Sequence, residues 1–230
     1  MLLFRNDMDT NKRLMYHSLV FPLFFLFCFW FVFLIEKIFG YDFHTLGIYP
    51  LTTKGLIGIL TMPLIHVDVI HILVNSISFF LLSVLLFSNY RKIALPVFTL
   101  IWIISGILLW FIGRPNWHIG ASAVIYGMAF FLFFSGFFRM DKALIATSLV
   151  VAFLYGGMVW YMTPLTPDKT ISWEGHLSGA ISGFLLSIYY KIIEPKQDIE
   201  ETEEEKDVDF DWQASEKNEK DSGDDVITNN

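Results

Sequence analysis

Residues 66–80 read HVDVIHILVNSISFF and open an apolar run that continues to Phe87. From Val69 onward the run has the roughly 20 residues a helix needs to cross a hydrocarbon core. It nevertheless carries His71 and Asn75, four residues apart and so on one helical face, with His66 just ahead and Asp68 placed to cap the first turn. Polar side chains at membrane depth are costly and turn toward a bundle interior or a wet cavity. The stretch therefore reads as one span of a helical membrane bundle, with a polar site at one end.

Composition agrees with that reading. Of 230 residues, 54% are hydrophobic, 17% aromatic and only 17% charged, with 24 Phe and 7 Trp. A soluble domain carries about a quarter of its residues as charges, so this chain is solvated largely by lipid. The net charge of −7 is unevenly spread: residues 194–230 hold 15 Asp+Glu against 4 Lys+Arg, a net of −11, and leave a net of +4 for residues 1–193. The organisation expected is a cytoplasmic N-terminal segment, 1–15, a membrane domain, 16–193, and an acidic tail, 194–230, too polar to fold alone.

Six apolar stretches fit membrane-spanning helices: 19–35, 69–87, 93–112, 119–138, 143–162 and 175–193. The first is long for a signal peptide and ends in Glu36-Lys37 without a small-residue cleavage site, so it is expected to be retained. The N-terminus, the short loops 88–92 and 139–142, and Lys191 hold 8 of the 12 basic residues of the membrane domain. Basic loops prefer the cytoplasm, which puts both termini inside and the loops 40–65 and 163–168 outside. The first of these loops is half apolar and too long to be structureless, so it is expected to carry interfacial helices packed on the bundle. A single cysteine, Cys28, excludes an intrachain disulfide, and neither a phosphate-binding glycine loop nor a basic aromatic face for nucleic acid is present.

Two further stretches complete the site. Residues 118–127, HIGASAVIYG, put Ser122 near the start of the fourth span with Tyr126 one turn on. Residues 173–183, WEGHLSGAISG, put His176 in the first turn of the sixth, with Gly179 and Gly183 spaced as G-x-x-x-G. In the topology above, all three polar constellations occupy the outer ends of their helices and share one depth. A serine needs a base to act as a nucleophile, and neutral His176 can take the Ser122 proton and return it to a leaving amine. Asn75 and His71, with a backbone N–H at the start of the fourth helix, can donate to a developing oxyanion. No third carboxylate is evident: Glu174 should point away from His176 and Asp68 should cap its helix, so packing against Tyr126 is expected to orient the base. Gly179 and Gly183 strip one face of the sixth helix so that it can approach the fourth. A metal reading of His66, His71, Asn75 and His176 lacks a ligand set at suitable spacing, and no cofactor is expected.

These residues resemble the rhomboid intramembrane serine proteases across roughly residues 15–193. The family's H-x4-H-x3-N is matched by His66, His71 and Asn75, its G-x-S-G by Gly120 and Ser122, and its H-x2-G-x3-G by His176, Gly179 and Gly183. The resemblance implies an all-α, six-helix membrane bundle with an active site opening outward. It implies transmembrane proteins as substrates, cut at small residues in helix-destabilised stretches, with lateral access near the fifth helix and the segment 163–174. Two features depart from the family: Ala123 replaces the glycine after the serine, and the Trp-Arg pair of the first loop is absent, the match there being Leu46-Gly-Ile-Tyr-Pro50.

The reading is a multi-pass serine endopeptidase of, best, a bacterial plasma membrane, working through Ser122 and His176 in the lipid bilayer, with no nucleic-acid partner and an oligomeric state the sequence leaves open. The alternative is a catalytically impaired relative that binds transmembrane clients. A transporter would need charges along several helices or broken helices at the midplane, and the sequence has neither.

Overall fold

A computed structural model describes residues 2–165 and 171–193, with side chains from Ser18 onward. The acidic tail from residue 194 onward and residues 166–168 of the outer loop 163–168 lie outside the described residues. Six long helices follow in order: α1 Leu2–Phe39, α2 Val69–Asn89, α3 Ala94–Ile112, α4 Ser122–Arg139, α5 Lys142–Tyr155 and α6 Trp173–Ile193. Among the described residues there is no β-sheet; the only extended pairing is an isolated antiparallel bridge between Ile48 and His118.

The apolar faces follow helical periodicity. On α2 the buried residues are Ile72, Asn75, Ser76, Phe79, Leu82, Ser83 and Leu86, the three-and-four spacing of one stripe, while Ile70, Val74 and Ile77 are exposed. In a bilayer such exposed aliphatics face lipid. On α1, Phe29 and Phe33 are buried and Phe24, Phe27 and Phe31 are exposed, so the helix lies at the periphery with one face against α2. By contrast α4 is buried nearly all round from Ala123 to Leu132, which makes it the centre of the bundle, packed by α2, α3, α5 and α6.

Helix ends depart from the expected spans where backbone chemistry intervenes. The fourth helix starts at Ser122 rather than 119, because Gly120 has φ +105°, a conformation no helix contains. The fifth is α-helical only to Tyr155; Gly156 and Gly157 follow, and residues Gly156–Met162 tighten into a 3₁₀ helix. Paired glycines are poor helix formers, each about 1 kcal/mol worse than alanine. The second helix is capped by Asp68, whose carboxylate accepts the His71 N–H at 2.8 Å.

Among the described residues, five segments are long and apolar enough to span a membrane: Ser18–Phe39, Val69–Asn89, Ala94–Ile112, Ser122–Arg139 and Lys142–Met162. The sixth expected span, α6, is long enough at 21 residues, about 31 Å. Its composition is diluted by three glycines and by Ser178, Ser182 and Ser187, all three serines fully buried. That dilution follows from its position. Enclosed by α3 and α4, it needs small residues for close packing more than aliphatics for lipid. A Cβ at Gly179 would strike the carbonyl of Ala123 and one at Gly183 the carbonyl of Gly127, so both glycines are required for the α4–α6 crossing.

The first loop folds into one-turn helices at His44–Leu46, Lys54–Leu56, Gly58–Thr61 and Met62–Leu64. It is tied to α3 by indole donors: Trp102 Nε1 donates to the Ile59 carbonyl at 2.8 Å and Trp110 Nε1 to the Thr52 carbonyl at 2.9 Å. Its end also reaches the segment that leads into the central helix, because the Gly120 N–H donates to the Met62 carbonyl at 2.9 Å.

Candidate active site

The first residue of α4 is Ser122, half-buried; His176 sits in the first turn of α6 and is buried. The α4–α6 crossing brings these two helix starts together: Gly179, one turn after His176, lies on the carbonyl of Ala123, the residue after Ser122. The imidazole of His176 stacks on Tyr126 with ring centroids 4.2 Å apart and planes 8° from parallel. The Tyr126 hydroxyl donates to the Met158 carbonyl at 3.0 Å, which fixes that ring in turn.

A backbone group orients the imidazole. His176 Nδ1 lies 2.9 Å from the Tyr161 carbonyl oxygen. A carbonyl only accepts, so Nδ1 carries the proton of a neutral ring and Nε2 keeps its lone pair. Tyr161 belongs to the 3₁₀ segment Gly156–Met162, so that segment supplies the orienting acceptor. Glu174 does not face His176; it is buried and pairs with Arg114, Nε to Oε1 3.5 Å.

The second polar group gathers around Gly120. A Cβ there would lie 2.7 Å from His71 Nε2 and 3.5 Å from Asn75 Nδ2, so both side chains converge on the bare backbone two residues before Ser122. Asn75 is 5% exposed and its Nδ2 has no hydrogen-bond partner among the described residues. A buried amide N–H without an acceptor is costly, and this one adjoins the loop that leads into Ser122. His66 lies behind, its ring 5.1 Å from that of His71 and 5.3 Å from Phe29. Burial, with the neighbouring His71 adding to it, pushes the His66 pKa down to about 3, so it stands as a neutral ring. The methyl of Ala123, at the position of the family's glycine, is accommodated in an apolar cluster with Ile48, Met62 and Leu109.

One neighbour of the site carried no signal of its own in the sequence. His118 is 3% exposed, and its main chain pairs in both directions with Ile48. Its ring reaches Ser172 Oγ, 2.6 Å from Nδ1, and the Arg114 carbonyl, 3.1 Å from Nε2. Its pKa is lowered, chiefly by burial. Only the tertiary fold brings Ser172, 54 residues away, to this ring.

Comparison with known protein families matches residues 53–192 to the Rhomboid domain. An uncharacterized protein of Mycobacterium tuberculosis (strain ATCC 25618 / H37Rv) is 36% identical over 157 residues, covering 65% of this chain and 65% of that protein. One of Mycobacterium leprae (strain TN) is 33% identical over 189 residues, 78% of this chain and 74% of its own length. A protein of Acanthamoeba polyphaga mimivirus, named as a rhomboid protein, is 29% identical over 147 residues, 61% of this chain and 79% of that protein. The chain thus spans about 65% of the length of the Mycobacterium tuberculosis relative. The chain belongs to the rhomboid family and is an integral membrane protein.

Proposed function

We propose that this protein is an intramembrane serine endopeptidase that cleaves transmembrane segments of other membrane proteins near the outer face of the membrane. The observation that carries the reading is the hydrogen bond from His176 Nδ1 to the Tyr161 carbonyl. It leaves Nε2 as a proton acceptor on the helix that the Gly179 contact packs against the start of α4.

The steps follow from these groups. Ser122 Oγ attacks the scissile carbonyl carbon while its proton passes to His176 Nε2, and the carbonyl π pair moves onto oxygen. That oxyanion is received by Asn75 Nδ2, the donor that lacks a partner, and by His71 beside Gly120. As the C–N bond breaks, the proton on Nε2 goes to the departing amine, leaving an acyl-enzyme. Water, deprotonated by the same nitrogen, then attacks the ester and Ser122 recovers its proton. No cofactor or metal is needed for these steps. His66 and Tyr126 act by packing, the first behind His71 and the second on the face of His176.

Both termini are assigned to the cytoplasm from the basic loops, and the membrane to a bacterial plasma membrane. The central helix α4 has 18 residues, about 27 Å, slightly short of the roughly 30 Å hydrocarbon core, which supports an N-terminus and nucleophile recessed below the surface. The test is cleavage of a single-span substrate in proteoliposomes by wild type and Ser122→Ala, with an active-site fluorophosphonate as a parallel probe. Cleavage and labelling should vanish together in the variant. Full cleavage by purified Ser122→Ala would refute the reading, and a folded wild type that neither cleaves nor labels would favour client binding instead.

A further inference from the structure

Four residues before Ser122 stands His118, and four residues before His176 stands Ser172, and the two side chains are hydrogen-bonded at 2.6 Å. The direction of each bond is fixed by its partners. His118 Nε2 meets the Arg114 carbonyl, which only accepts, so Nε2 carries the proton and Nδ1 of the neutral ring is the acceptor. The Ser172 hydroxyl therefore donates to His118 Nδ1. The same oxygen accepts the Gly175 N–H at 3.2 Å, and the Ser172 carbonyl accepts the His176 N–H at 3.2 Å. Ser172 is thus the N-cap of α6, and its hydroxyl proton is committed to the segment that leads into the nucleophile.

Two further contacts run beside this one. Arg114 Nη2 donates to the Ile171 carbonyl at 2.7 Å, and Arg114 Nε pairs with Glu174 Oε1 at 3.5 Å. Residues 114–118 therefore grip residues 171–174 at three points, while the His118 main chain is anchored on Ile48. Neither His118 nor Ser172 touches the reacting atoms.

We propose that His118 and Ser172 form a positioning clasp that sets the separation of the nucleophile and the base. This inference rests on the reading of Ser122 and His176 given above. It assigns His118 a role in the reaction rate beyond holding the loop in place. A misplacement of about 1 Å between reacting groups can cost on the order of a hundredfold in rate, so opening the clasp should be visible in chemistry before it is visible in folding.

The experiment is the second-order rate of fluorophosphonate labelling, which reads Ser122 directly and needs no transmembrane substrate, alongside the melting temperature in detergent. The set is wild type, Ser122→Ala, His118→Phe, His118→Asn, His118→Gln and Ser172→Ala. Asparagine keeps an acceptor where Nδ1 stands but loses the contact to the Arg114 carbonyl; glutamine reaches the carbonyl but not Ser172. The expected result is a fall of about tenfold or more for the Phe, Gln and Ser172→Ala variants, with Asn recovering most of the rate. The double variant His118→Phe with Ser172→Ala should be no slower than the worse single. Equal rates for the Asn and Gln variants, or losses that follow melting temperature alone, would overturn the clasp even if the Phe variant fails to fold. A wild type that does not label, or a Ser122→Ala protein that labels as well as wild type, overturns the reading of the site itself, and that pattern is separate from any difference among the His118 variants.

Discussion

The contact between Gly179 and Ala123 gives the sharpest quantitative test of how the site is assembled. A Cβ at residue 179 would lie 2.8 Å from the Ala123 carbonyl carbon and 3.2 Å from its Cα, with the carbonyl oxygen closer still. Carbon atoms in ordinary contact are about 3.5–4.0 Å apart, so in Gly179→Ala helix α6 must retreat from α4 by roughly 1 Å. The obstacle is main chain on both sides, which no rotamer change relieves. Overpacking of this kind costs about 1–3 kcal/mol, and a displacement of about 1 Å between the proposed nucleophile and base is worth on the order of a hundredfold in rate. The variant should therefore melt a few degrees lower and label with fluorophosphonate about a hundredfold more slowly. Gly156→Ala serves as the comparison, because a Cβ there meets nothing within 4 Å. It should leave melting unchanged or raised. Wild-type labelling and melting in Gly179→Ala would refute the claim that this crossing sets the site.

Three further outcomes follow from the same geometry. Gly120→Ala combines a strained φ of +105° with a Cβ 2.7 Å from His71 Nε2, so it should abolish labelling and cost about 1–3 kcal/mol of stability, measured by thermal melting. His66 stays neutral in the fold down to about pH 3 while an unfolded histidine takes its proton near 6.5, so the unfolded state binds more protons between those values. Stability should fall on acidification across that window by up to about 1.4 kcal/mol per pH unit, and His66→Phe should flatten the slope of melting temperature against pH; equal slopes would count against it. Proteolysis should decline once the pH is low enough to protonate the buried His176, because the base must be neutral to take the Ser122 proton, and a rate that stays flat at every pH at which the protein remains folded would contradict His176 in that role.

What was legible in the sequence is what repeats at short range. The four-residue spacing of His71 and Asn75 gives a shared face, Gly179 and Gly183 a bare one, and Asp68 a cap, each decided within one or two turns of helix. Apolar length delimits the spans to within a few residues, except where glycine interrupts. The start of α4 was displaced by Gly120, whose positive φ interrupts the helix whatever surrounds it, and the crowding of His71 above that glycine arises only in the tertiary fold. The 3₁₀ end after Tyr155 was written in Gly156-Gly157 but outweighed by the continuous apolar run. The hydrogen bonds from His118 to Ser172 and from His176 to the Tyr161 carbonyl had no local signature. They join residues 54 and 15 positions apart, and one partner is main chain, which every residue type possesses.

The Tyr161 carbonyl is an orienting group that mutagenesis cannot delete. An alanine scan through Gly156–Met162 would change every side chain in the segment and leave that oxygen where it is. Nor does it ionise, so acid cannot switch it off as it would a triad aspartate, and the acidic limb of the rate profile should contain the titration of one imidazole and nothing behind it. Only a change in the course of the backbone, such as a deletion that shortens the 3₁₀ turn, would rotate the acceptor away and free the ring to take its other tautomer.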